Sequence, residues 1–407
     1  MPTEPEESPR QLPDHPNLRY LKDQAKALLK AGQATSLSEA QLKVARMYGL
    51  ASWSRLKAYV DEKNRGEEVN QLKLAIDTND LDRVKALMTH NPALHRAPIG
   101  YGKNGPLTWV AECRVPWEPP TPARLAMAQW MIDNGSDIHQ GGDGPLMRAA
   151  LRDDRIPMME LLFRNGANVD AEWGGFFPII FAPCESLAPG SLRWLIDHGA
   201  NPDCARFGRE YPDSALDYVI ATYARSERLG PCIDILLAGR CPTRRNMPAV
   251  LEILRGPIDR LREILDADPA LVNRRFGELD FGTTGNRSLT LRGGSLLHVA
   301  AEYGNVNAAQ LLLDRGADVN ARAEIDEAGV GGQTPIFHAV SQFFDFGLSI
   351  VEFLVKQGAD LSISARIPGN YERPAEVVEC RPLEYARLFP GDENKTIALL
   401  REVGAPG

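Results

Sequence analysis

The sequence predicts an all-α fold, a solenoid in which pairs of short helices repeat along the chain. The clearest unit runs from Gly294 to Arg322, where two short apolar helices, LLHVAAEYG and VNAAQLLLDRG, are joined by a tight turn at Gly304. A second observation is the loop Gly-Ala-Asp, which follows this helix pair. The same loop, or a close variant of it, recurs several times along the sequence. The third is the regular spacing of the segments that could begin such a unit. One helix pair cannot bury its apolar face alone, so several must stack.

Nine positions could start a unit, each taken at the residue that precedes the first helix. They are Asn70, Gly105, Gly144, Phe177, Ser214, Met247, Ser295, Thr334 and Arg381. A glycine after the second helix can adopt the left-handed conformation that ends a helix. The glycines in this place are Gly135, Gly166, Gly199, Gly316, Gly358 and Gly404. We therefore predict about nine degenerate repeats over residues 66–407.

This pattern resembles the ankyrin repeat, a unit of about 33 residues built from a β-turn and two antiparallel helices. The consensus histidine of the first helix is present in its usual place only in the seventh unit, as His298. The resemblance implies short β-hairpin fingers between the repeats. It also implies a scaffold or adaptor that binds another protein through the concave and finger surface of the array, without catalysis.

Residues 17–64 form a separate predicted module of three helices, preceded by a Pro-rich, acidic stretch over residues 1–16 that we expect to be a disordered leader. The module's segment AQLKVARMYGLASWSRLKAYV resembles the N-termini of many bacterial ankyrin-repeat proteins. Residues 17–64 hold nine basic and four acidic residues. The module is therefore expected either to cap the apolar end of the array or, in the alternative, to act as a helix-turn-helix that makes the protein a DNA-binding regulator.

Composition and motifs favour a binding protein over an enzyme. The net charge of −8 disfavours nucleic acid as the main partner, and no run of apolar residues is long enough to span a membrane. No secretory signal is recognisable, so a cytoplasmic location is expected. The seven histidines lie at no metal-ligand spacing, and the glycine-rich stretches lack the Lys-Ser/Thr of a phosphate loop. We predict no catalytic residue, no cofactor and no metal.

Three long insertions fall between repeats in the C-terminal third, where fingers project: 276–293, 323–331 and 364–380. Insertions in a solenoid collect on one face, which is often the binding face. Finger tips and the residues that end the first helices are the positions expected to contact a partner. These residues are Arg152, Arg292, Glu302, Tyr303, Gln333, Gln342, Phe343, Phe344 and Tyr371.

The scaffold interpretation predicts that the purified protein does not bind duplex DNA with a steep salt dependence, as neutralisation of several phosphates would require. Fluorescence anisotropy with a labelled duplex at two salt concentrations measures this. Salt-sensitive binding that is lost in an Arg55→Ala, Lys57→Ala double variant would instead support the DNA-binding alternative.

Overall fold

The regular structure is almost entirely helical, as predicted, and the chain divides into two compact units, Met1–Asp137 and Ile138–Gly407. We analysed a computed structural model of the chain. It describes residues 12, 17–99, 104–112, 118–204, 214–221, 226–243, 247–277, 289–342, 345–369, 376–388 and 395–407. The predicted leader, residues 1–16, lies outside the described residues except for Leu12, which packs against the core of the first unit.

Among its described residues, the first unit contains six α-helices. They are α1 (Leu18–Lys30), α2 (Leu37–Met47), α3 (Trp53–Asp77), α4 (Leu81–His90), α5 (Pro106–Glu112) and α6 (Pro122–Asp133). The first three surround a small apolar core in which Leu21, Val44 and Leu56 are fully or almost fully buried. The hydroxyls of Ser36 and Ser52 accept hydrogen bonds from backbone N–H groups at the starts of α2 and α3, which caps both helices.

Helix α3 crosses the boundary predicted near residue 65. It runs without a break from the module's third helix into the first helix of the first repeat. Gly66 lies inside it and is exposed. A single glycine lowers the stability of a helix by about 1 kcal/mol relative to alanine. This is too little to end the helix when residues with high helix propensity flank the glycine. The module and the first repeat therefore share one helix, and the division into separate domains stays a prediction.

The second unit contains fourteen helices and four short strands among its described residues. The helices are α7 (Gln140–Ala150), α8 (Ile156–Arg164), α9 (Phe181–Ser186), α10 (Pro189–Asp197), α11 (Ala215–Ala221), α12 (Leu229–Ala238), α13 (Pro248–Arg255), α14 (Asp259–Ala267), α15 (Leu296–Glu302), α16 (Val306–Asp314), α17 (Pro335–Val340), α18 (Leu348–Lys356), α19 (Pro382–Ala386) and α20 (Lys395–Glu402). The strands are β1 (Glu172–Trp173), β2 (Phe177–Pro178), β3 (Ala365–Pro368) and β4 (Val377–Cys380). Strand β1 pairs with β2 and β3 pairs with β4, both antiparallel.

Helix positions follow the predicted repeat register in six of the nine predicted repeats. The exceptions are Asn70, which lies inside α3, Gly144, which lies inside α7, and Phe177, which lies in β2 four residues before α9. Six first helices begin one residue after the predicted start of their repeat: α5, α11, α13, α15, α17 and α19. All six glycines predicted to end second helices have positive φ, between 77° at Gly404 and 105° at Gly135. This agreement arises because the local backbone conformation determines which residue types are favoured at the turn and at the first position of the helix.

A tight left-handed turn precedes the regular part of α7. Gly141, Gly142 and Asp143 have φ of 75°, 74° and 54° in succession. The turn lies against the β1–β2 hairpin, because a Cβ on Gly142 would stand 2.0 Å from the carbonyl oxygen of Glu172. Only a glycine fits this close approach between two backbone segments.

We predict that Gly142→Ala destabilises the protein by more than Gly175→Ala. Both glycines have φ of 74°, so both variants carry the strain of a left-handed alanine, about 1–2 kcal/mol. Only Gly142 meets backbone atoms, whereas a Cβ on Gly175 meets nothing within 4 Å. Urea unfolding of the two variants measures the difference. Equal losses would mean that the Glu172 contact does not restrict residue 142.

Candidate protein-binding surface

The described parts of the three inter-repeat insertions of the C-terminal third lie side by side in the second unit. The backbone N–H of Glu324 donates to the carbonyl of Gly293 at 3.1 Å, which joins the first finger to the second. The N–H of Gly331 donates to the carbonyl of Arg366 at 2.7 Å, which joins the second finger to β3. We call the described residues 289–294, 322–333, 364–369 and 376–380 the finger surface. Its segments form one continuous hydrogen-bonded ribbon.

Two arginines reinforce this ribbon. The guanidinium of Arg322 donates from Nε to the carbonyl of Gly332 at 3.0 Å and from Nη2 to the carbonyl of Ser364 at 2.8 Å. The guanidinium of Arg366 donates to the carbonyl of Ala328 at 3.1 Å. A planar guanidinium with several fixed donors suits this task, because it satisfies carbonyls on two segments at once. The second finger is therefore held on both sides.

The β3–β4 hairpin presents one buried and one exposed face. Ala365, Ile367 and Cys380 point inward and are buried, whereas Arg366 and Glu379, which are paired across the hairpin, are exposed. Successive side chains of a strand alternate between faces, so the pattern of burial fixes the register of the hairpin. The outward face of the hairpin is available to a partner.

A cleft of about 320 Å³ opens between the fingers. Its apolar lining comes from Leu289, Val330, Ile367 and Pro368, with Ile325 at its side. Its polar lining consists of Thr290, Arg292, Glu324, Asp326 and Gln333. Ile325 has a large apolar side chain and is 60% exposed, although its finger is held by hydrogen bonds.

A buried polar network lies beneath the fingers. His298 is fully buried; its Nδ1 accepts from the backbone N–H of Ser295 at 3.0 Å, and its Nε2 donates to the carbonyl of Gln333 at 3.1 Å. These two bonds define a neutral imidazole, and burial lowers the pKa of His298 to about 3. The consensus histidine thus ties the start of α15 to the end of the second finger.

A second buried histidine was not identified from the sequence as a structural residue. His338, on α17, lies within 3.0 Å of the Glu302 carboxylate at the end of α15. The side-chain amide of Gln342 donates to the carbonyls of Glu302 and His338, each at 2.8 Å. Glu302 at the end of one first helix and His338 on the next could have suggested this pairing, because stacked first helices face each other.

The structure separates the predicted partner-binding residues into two groups. Arg292 and Gln333 line the cleft, as part of the finger surface. Glu302, Tyr303 and Gln342 are instead buried between helices of the second unit. The Tyr303 hydroxyl donates to the carbonyl of Ile220 at 3.0 Å. Buried and bonded side chains cannot make the first contact with a partner, so for these three residues the structure revises the expectation.

The remaining predicted residues lie away from the cleft or outside the described residues. Arg152 is partly buried between α7 and α8, where its Nε donates to the Asp154 carboxylate at 3.1 Å. That bond is the main cause that lowers the pKa of Asp154. Phe343, Phe344 and Tyr371 lie outside the described residues.

Comparison with known families agrees with this geometry. Residues 265–365 match the family model of ankyrin repeats in three copies. The protein contains ankyrin repeats. The matched residues include α15, α16, α17, α18 and the first two fingers. Outside them, α13 and α19 also begin one residue after the predicted start of their repeat. The fold is therefore an all-α ankyrin-repeat solenoid.

The other two comparisons add little. A search of the curated proteins finds no match. Among solved structures, the chain is similar to the crystal structure of the human ASB11 ankyrin repeat domain, at 17% identity and a TM-score of 0.32. That match covers 74% of this chain and 99% of the other.

Within the described ranges of the chain, no helix is both long and apolar enough to cross a membrane. In that part of the chain, no three His, Cys, Asp or Glu side chains are grouped so that they could hold a metal ion.

The neutral state of His298 predicts a loss of stability in mild acid. The pKa of His298 is lowered on folding, so the unfolded chain takes up the proton first as the pH falls below 6.5. This costs the folded state about 2 kcal/mol between pH 6.5 and 5.0. Urea unfolding at both pH values should show this loss in the wild type and a smaller one in His298→Gln. His95, whose pKa is also lowered by burial, is present in both proteins. Its contribution to the loss of stability therefore cancels when the two losses are subtracted. Equal losses in the two proteins would exclude His298 as the titrating group.

Proposed function

We propose that the protein is a scaffold or adaptor that binds another protein through the finger surface and the adjoining concave surface of its ankyrin array. The observation that carries this proposal is the ribbon itself. Three fingers are hydrogen-bonded to one another and enclose a cleft beside an exposed isoleucine. Ankyrin repeats are in general modules for protein–protein interaction, and nothing in the finger surface calls for a chemical reaction.

Rigidity of the fingers supports this role. Binding loses free energy when loops must be ordered on contact, and a surface that is already ordered avoids much of that cost. Here the backbone bonds at Glu324 and Gly331 and the guanidinium of Arg322 hold the second finger before any partner arrives. Loops carried by a rigid scaffold are the usual place for binding residues.

The chemistry of the exposed side chains also supports it. Ile325 offers an apolar contact that gains free energy only when a partner covers it. Arg292 is exposed beside the same cleft, and arginine is enriched among the residues that dominate binding at interfaces. The proposal includes the cytoplasmic location expected from the sequence and a capping role for residues 17–64.

We predict that Ile325→Gln weakens capture of the partner about tenfold or more, because an apolar anchor at the centre of the surface is lost. The wild-type chain, immobilised, is used to capture proteins from a lysate, and the affinity of each captured protein is then measured with the variants. The matched control is Leu74→Gln on α3, since Leu74 is 65% exposed and lies in the first unit. If Ile325→Gln binds as tightly as Leu74→Gln does, the finger surface is not the binding site.

A further inference from the structure

One polar atom of a residue that lines the finger cleft lacks a partner among the described residues. Gln333 is 3% exposed, and its Oε1 is buried and accepts no hydrogen bond among the described residues. A buried acceptor left unsatisfied costs about 1–3 kcal/mol. The side-chain Nε2 and the backbone carbonyl of Gln333 are both hydrogen-bonded, so within the side chain only this oxygen lacks a partner.

The orientation of the Gln333 amide follows from its neighbours. Its Nε2 donates to the carbonyl of Thr290 at 3.2 Å, across to the first finger. Its backbone carbonyl accepts from Ala323 at 2.8 Å and from His298. A carbonyl oxygen can only accept, so the Thr290 contact fixes Nε2 on that side and leaves Oε1 as an acceptor without a donor, in a residue that lines the cleft.

A free carboxylate lies in the same lining. Glu324 is exposed, and its side chain makes no hydrogen bond or ion pair with any described residue. The Asp326 carboxylate, close by, already accepts from the N–H groups of Ala328 and Val330 within its own finger. Among the described residues of the finger surface, carboxylates outnumber guanidinium groups. The carboxylates are those of Glu324, Asp326, Glu327, Glu376 and Glu379, and the guanidinium groups are those of Arg292, Arg322 and Arg366.

Two of these three cations are already committed. Arg322 and Arg366 donate to backbone carbonyls of the ribbon. No ion pair among the described residues includes Arg292 or Glu324, so within that part of the chain the Glu324 carboxylate contacts no cation. The cleft therefore combines two acceptors without donors, Gln333 Oε1 and Glu324, with an apolar wall formed by Val330, Ile367 and Pro368.

We propose that the cleft receives a lysine or arginine side chain from an extended segment of the partner protein. The aliphatic part of such a side chain packs along the apolar wall, while its charged end donates to Glu324 and Gln333. A charge-assisted hydrogen bond is stronger than a neutral one, so a cation recovers more from these acceptors than a hydroxyl or an amide does. This inference rests on the proposed function and specifies which partner chemistry the fingers select.

A random peptide library displayed on phage and panned against the full-length protein tests this. Enriched peptides should share one lysine or arginine next to apolar residues, and replacing that residue with norleucine should weaken binding about tenfold or more, as measured by fluorescence anisotropy. Glu324→Lys should weaken binding by a similar factor. Glu402→Lys makes the same charge change on α20, outside the finger surface, and should leave binding within about twofold.

The outcomes separate this inference from the proposed function. Peptides that lose binding in Ile325→Gln but share no basic residue overturn the inference and leave the proposed function standing. Equal effects of Glu324→Lys and Glu402→Lys also overturn it, because they indicate attraction by net charge alone. If no enriched peptide depends on Ile325, the proposed function fails, and the inference fails with it. Both lysine variants change exposed side chains, so unchanged urea unfolding is the expected check on folding.

Discussion

Each helix pair of the array has an apolar face that only the neighbouring pairs can cover, and the rest of the structure depends on this constraint. Helix α15 shows its full extent, because all seven of its residues are buried. It packs against α13 on one side and α17 on the other. A helix enclosed in this way must satisfy its polar groups within the protein. His298 does so for the start of α15, and Glu302 at its end is paired with His338.

Stacking also explains why the fingers meet. The first helices α13, α15, α17 and α19 pack against one another in succession, and each finger precedes one of them, so successive fingers come within reach of backbone hydrogen bonds. The bonds from Glu324 to Gly293 and from Gly331 to Arg366 are the result. A finger of one repeat is thus ordered by its neighbours, and the bond from His298 to the Gln333 carbonyl connects this ribbon to the helical core. Burial in the core and order at the surface are parts of one arrangement.

The sequence was a good guide wherever local backbone chemistry decides the structure. Turn glycines such as Gly316 and helix starts such as Pro335 were predicted in register because a left-handed turn or a first helical turn selects those residues directly. It was a poor guide where the outcome depends on a distant neighbour. The burial of Tyr303 is one case: its hydroxyl reaches the carbonyl of Ile220, 83 residues earlier in the chain, and no local pattern contains that contact. The convergence of the fingers was predictable from their spacing, but the exposed Ile325 within them was not.

Glu302 and Glu324 show why a binding surface has to be read from the structure. Both carboxylates belong to the same repeat region, and their residue type and spacing give no reason to assign them different roles. The structure places Glu302 against His338, where it is 4% exposed and its bonding capacity is used in holding two helices together. Among the described residues, Glu324 is exposed and has no hydrogen-bond or ion-pair partner, and it lines the same cleft as Gln333, whose Oε1 also lacks a donor. A group whose hydrogen bonds are already made gains little from a partner, whereas an unsatisfied acceptor gains a full bond. The selectivity of such a surface therefore lies in the few polar groups that folding leaves without partners.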